Sequence, residues 1–95
     1  MGPVLLIGNG QIEREICFEQ AELRKARADI AAGRRRLRNQ ERLIVSLKAH
    51  GRPTAEAERL AALFRETLSQ WRQHRDLITG RLAYLKARIG RARQA

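Results

Sequence analysis

From Gln11 to Ala49 the apolar residues Ile16, Leu23, Ile30, Leu37 and Ile44 recur every seven positions. A repeat of that length sustained over five turns of the pattern predicts one long helix with a packed stripe. The alternate positions of the same stripe are Ile12, Glu19, Ala26, Gly33, Gln40 and Leu47, smaller or more polar than a tight parallel zipper would use. A second stripe, in alternating steps of four and three, runs through Ala57, Ala61, Phe64, Leu68, Trp71, Arg75, Ile78, Leu82, Leu85 and Ile89. Only Arg75 interrupts it. Between the two stripes, at Ala49 to Thr54, both patterns stop.

That stop has a local cause. Gly51 supplies the permissive backbone on which helices commonly end, and Pro53 biases Arg52 away from helical angles. Thr54 is placed to cap the next helix, with Glu56 and Glu58 in its first turn against the positive end of the helix dipole. So short a connection predicts antiparallel neighbours. The expected fold is all-α: two long antiparallel helices forming a helical hairpin, or antiparallel coiled coil, with a helix at 11–49, a turn at 50–54 and a helix at 55–91. Residues 11–95 then form one domain, and each helix of roughly 38 residues is about 57 Å long.

Folding the chain about residue 51 brings Leu37 near Phe64, Leu23 near Ile78, Ile16 near Leu85 and Ile12 near Ile89, and sets Gly33 against Trp71. A helical glycine costs about 1 kcal/mol relative to alanine, so close approach of a bulky side chain is its expected reason. The expected hairpin seam is therefore Ile16, Leu23, Ile30, Gly33, Leu37 and Ile44 with Phe64, Leu68, Trp71, Ile78, Leu82 and Leu85. Leu63, Leu77 and Tyr84 form a weaker outer row at multiples of seven, with Gln70 between and Leu60 beside it. Phe18, Leu43 and Val45 also fall outside the seam. An outer apolar row predicts a further helix against it, hence a homodimeric four-helix assembly, since one pair of helices buries little on its own.

Composition narrows the chemistry. The 95 residues are 43% hydrophobic and 32% charged, with a net charge of +10 from 20 basic and ten acidic residues. An excess of this size favours polyanions, although arginine-rich composition also follows from GC-rich genomes. Two clusters are candidate polyanion contacts: Arg34, Arg35, Arg36 and Arg38, and, beyond Asp76 with no intervening acid, Arg81, Lys86, Arg88, Arg91 and Arg93. No aromatic row or recognition-helix turn accompanies them, so any contact with nucleic acid is expected to be non-specific. No apolar run is long enough for a membrane span. The lone Cys17 excludes an intrachain disulfide and points to a reducing, cytoplasmic location; it reads as a packed thiol. His50 and His74 lie too far apart, and from Cys17, for a zinc site, and no catalytic or cofactor-binding constellation is present. Two charges interrupt the seams, Glu19 and Arg75; Asp29 is the expected partner of Arg75, a pairing that would fix register.

The first ten residues, MGPVLLIGNG, differ in composition from the rest. An apolar run closed by Gly-Asn-Gly resembles the start of a dinucleotide-binding turn, but Glu13 occupies the third glycine position and no second strand follows. Residues 1–10 are expected to be a flexible or partner-packed arm.

The stretch from Phe18 to Leu82 carries an I-A-x-G-x-x-x-I/L-x-x-Q-x-x-L-I-x-x-L first helix at Ile30 to Leu47, a G-x-x-T-A-E-A turn at Gly51 to Ala57, and an F-x-x-T-L-x-x-x-x-x-H-R-D second helix at Phe64 to Asp76. In these motifs it resembles a group of short alphaproteobacterial, rhizobial-type helical-hairpin proteins. The resemblance implies the hairpin fold and brings no activity with it. The functional expectation is a non-enzymatic interaction or self-assembly module whose first partner is itself, with another protein as a further partner; the alternative is a small basic protein binding nucleic acid non-specifically through its arginine clusters. Peripheral membrane binding ranks below both, because the closed hairpin leaves no wide apolar face.

Overall fold

The structure, a computed structural model, describes the backbone of residues 2–94 and the side chains of residues 10–94. Two helices account for nearly all of it: α1 (Gly2–Ala49) and α2 (Ala55–Gln94), folded into a hairpin. The molecule measures 75 × 16 × 14 Å, a rod two helices wide. The backbone of α1 is already helical ahead of Gln11. The side chains of an arm at 1–10, and so its packing against a partner, lie outside the described residues except for Gly10.

The turn closes by backbone hydrogen bonding. Gly51 adopts φ 64°, its N–H donates to the Lys48 carbonyl at 3.1 Å, and the Arg52 N–H reaches back to the Leu47 carbonyl at 2.8 Å. This pair of bonds is the Schellman arrangement, which satisfies the last carbonyls of α1 and needs a residue at ease in the left-handed region. The His50 ring adds a contact to the Ser46 carbonyl, with Nδ1 at 2.7 Å. At the start of α2 the Thr54 carbonyl accepts the first helical bond, from Glu58 N–H at 2.8 Å. The Thr54 hydroxyl, expected to cap backbone N–H groups, instead donates to the Glu58 carboxylate at 3.2 Å.

Along the seam every expected position is buried or half-buried, but the two helices contribute unequally. From α2, Ala61, Leu68, Ile78, Leu82, Leu85 and Ile89 are buried; from α1, among the described residues, only Ala26 and Ile30. The small or polar alternate residues of α1 let the large side chains of α2 sink between the helices, whereas the isoleucines and leucines of α1 remain half-covered. Gly33 shows the mechanism, with a correction. A Cβ there would lie 3.3 Å from Leu68 Cδ1, a tight contact, so the close approach at this glycine is made by Leu68 and not by Trp71. Trp71 is half-buried at the edge of the seam, with the Lys25 ammonium 5.4 Å above its ring and His74 edge-on at 6.1 Å.

The polar seam residues are satisfied individually. The Glu19 carboxylate accepts from Arg81 Nε at 3.2 Å, and the Gln40 amide donates to the Ala57 carbonyl at 3.0 Å, tying the helices near the turn. Arg75 does not meet Asp29. It pairs with its neighbour Asp76 at 3.2 Å, because Asp29 is already held by Lys25, one helical turn earlier, at 2.9 Å. That short contact is why the Lys25 ammonium is held above its ordinary value: its hydrogen bond to Asp29 comes first and the attraction of the same carboxylate second.

Candidate interaction surfaces

Heptad letters make the two sides of the hairpin comparable, with the seam at positions a (Ile16 on α1, Leu68 on α2) and d (Ala26 on α1, Ile78 on α2). Three interhelical ion pairs join e to e: Lys48 with Glu58 at 3.8 Å, Glu41 with Arg65 at 3.7 Å, and Glu13 with Arg93 at 3.2 Å. One flank of the seam is thus latched by opposite charges near the turn and again at the open end of the hairpin. On the other flank g meets g, and among the described residues the interhelical ion pairs there all involve Arg81, with Glu15 at 3.8 Å and with Glu19 of the seam.

That second flank is where the exposed apolar side chains lie. Leu63, Leu77 and Tyr84, the expected outer row, occupy c positions and are 58%, 74% and 55% exposed. Leu60 on α2 and Leu43 on α1 occupy g positions, and Phe18 of α1 a c position, all exposed. Of the large exposed apolar residues among the described ones, only Val45 lies elsewhere. Thr67, Gln70, Trp71 and His74 line a shallow, largely apolar groove in the middle of the same face. Its charge is nearly balanced: among residues 11–94 the c and g positions hold Lys25, Arg36, Arg81, Arg88 and Arg91 against Glu15, Glu22, Asp29 and Glu56. The chain's excess positive charge is therefore on the other faces.

The two expected basic clusters behave differently. Arg34, Arg35, Arg36 and Arg38 are exposed and, among the described residues, have no carboxylate within 4.0 Å. The second cluster is divided: Arg81 and Arg93 are engaged by glutamates of α1, Arg88 lies 5.8 Å over the Tyr84 ring, and Lys86 and Arg91 are exposed. The sequence reading missed four residues that extend the first cluster, Arg14, Arg24, Arg27 and Arg42, all exposed and equally without ion pairs. Their signal is positional, since Arg14, Arg24 and Arg42 belong with Arg35 and Arg38 to the b and f positions of α1, which hold no acid, and Arg27 borders them at an e position.

Cys17, expected to be packed, is a free and exposed thiol. Among the described residues no cluster of three His, Cys, Asp or Glu could hold a metal ion, and no helix is long and apolar enough to cross a membrane. Comparison of the chain with protein-family models, with curated proteins and with solved structures returns no match.

Proposed function

We propose that the chain is a non-enzymatic helical hairpin that pairs with a second copy of itself through the apolar, near-neutral g-side face, forming a four-helix assembly that serves as an interaction module. The observation that carries this reading is the segregation of Phe18, Leu43, Leu60, Leu63, Leu77 and Tyr84 to one flank while ion pairs latch the other. Surface area supports it. A compact monomer of 10.9 kDa exposes about 5,600 Å² by size scaling. The hairpin exposes 7207 Å², and the surplus of roughly 1,600 Å² is about twice what each partner contributes to a standard interface. A second copy meets this face with little charge repulsion, because the arginines responsible for the net charge point away from it. The setting this reading implies is a reducing, cytoplasmic one, where exposed Cys17 stays a thiol.

Trp71, the only tryptophan, sits in the groove of this face and reports on its occupancy. On dilution through the dissociation range its emission should shift to the red as the ring gains water, in step with a fall in sedimentation coefficient. Emission and sedimentation that stay constant at the values of a single chain would rule the pairing out.

A further inference from the structure

We infer that the outward face of α1 is a docking surface for the phosphate backbone of duplex nucleic acid. This inference is independent of self-association, since it uses the side of α1 turned away from the apolar flank. The b and f positions of α1 between Arg14 and Ala49 hold Arg14, Arg24, Arg35, Arg38 and Arg42, interrupted mainly by alanines and by no acid. Arg27 and Arg34 border them at e positions. All seven are exposed. None has a carboxylate within 4.0 Å among the described residues, whereas on α2 Arg59, Arg65, Arg75, Arg81 and Arg93 all do.

Guanidinium groups in a row that hold no carboxylate are free to make the bidentate contacts that phosphates favour without first breaking an ion pair; among the described residues Arg42 alone would exchange a neutral hydrogen bond, to Asn39 Oδ1 at 3.3 Å. The alanines between them keep the surface low, so the helix can lie close to a backbone. From Arg14 to Arg42 the row spans about 42 Å along the helix, longer than the ~34 Å turn of a duplex, so its two ends meet phosphates on either side of a groove. A single strand is disfavoured as the target: no aromatic side chain lies on this row to stack bases, Phe18 and Tyr84 being on the other face. A lipid surface is disfavoured as well, because among the described residues no large apolar side chain except Val45 stands among the arginines to enter a bilayer.

The test uses the full chain and a labelled mixed-sequence DNA duplex, with binding followed by fluorescence anisotropy between 50 and 200 mM salt. Six or so phosphate contacts predict a loss of about 10³-fold in affinity across that range. The variant Arg35→Gln with Arg38→Gln and Arg42→Gln should bind more weakly and lower the salt slope by about three, with helical content unchanged by circular dichroism. The matching lysine variant should restore most of the slope, since charge suffices for these contacts. A control, Arg59→Gln with Arg65→Gln and Arg72→Gln on α2, lowers net charge equally and should leave the slope unchanged. The inference is overturned by absence of binding at 50 mM salt, by a triple variant that keeps the wild-type slope, or by a control that loses as much. Tighter binding to vesicles containing anionic lipid than to the duplex, abolished by the same triple variant, would also overturn it and assign the row to lipid headgroups.

Discussion

The two flanks of the seam run the same length beside the same buried core, yet one is closed by charge and the other left open with leucines. On the e side, Lys48, Glu41 and Glu13 each find an opposite charge across the seam; on the g side Leu43, Leu60, Leu63 and Leu77 find water. Exposed ion pairs contribute little stability apiece, so the e side is better understood as fixing how the helices face each other. The apolar side chains opposite leave hydrophobic surface of both helices in water. A similar contrast separates the helices: each carries eight arginines, but five of those on α2 have a carboxylate within 4.0 Å and, among the described residues, none of those on α1 does.

Substitutions in and beside the seam grade this contrast. The largest effect is expected in the seam itself. Leu85 is 1% exposed, and Leu85→Ala should cost about 2–5 kcal/mol in urea unfolding, since a two-helix core has few neighbours to collapse into the cavity. Next, Gly80 lies on the outer side of α2 with open space where a Cβ would stand, so Gly80→Ala should stabilise by about 1 kcal/mol and leave both flanks unaltered. Glu41→Gln removes one latch of the e side and should cost less than about 1 kcal/mol, the loss shrinking further in high salt. The smallest effect concerns Lys25. Its value is raised in the folded state, so its contribution is fully present below the ordinary 10.5 and is lost as pH rises through the higher folded value; Asp29→Asn should abolish this part of the alkaline dependence.

Much of the fold is legible in the residues because the signals are local or periodic. Gly51 and Pro53 mark the turn through backbone sterics, and the sevenfold recurrence from Ile16 to Ile44 marks the buried stripe through geometry alone. Side-chain partners are less legible, since they depend on competition. Asp29 is the nearest acid to Arg75 across the seam by register, but Lys25 and Asp76 are closer along their own helices and take both partners. Gly33 signals a close approach without saying whose, because Leu68 and Trp71 are neighbours on the same stripe and the offset of less than one turn between helices decides. The apolar row at Leu63, Leu77 and Tyr84 was visible as a periodicity. Its continuity with Phe18 and Leu43 of α1 was not, because that requires knowing which flanks of the two helices meet, which the e-to-e ion pairs establish. The arginine row of α1 was hidden for a related reason: clusters along the chain draw the eye to Arg34–Arg38, whereas a surface is assembled from residues three, four and seven apart.

The most direct test of the open flank is the mass in solution, by light scattering at high protein concentration, of the wild type and of Leu77→Glu. Leu77 is 74% exposed in the hairpin, so the substitution leaves the folded chain little changed while placing a charge in the middle of the apolar face. Self-association through the open flank predicts twice the 10.9 kDa chain mass for the wild type and the single-chain mass for a still helical Leu77→Glu. A wild type that remains a single chain, or a Leu77→Glu variant that assembles as well as the wild type, would contradict it.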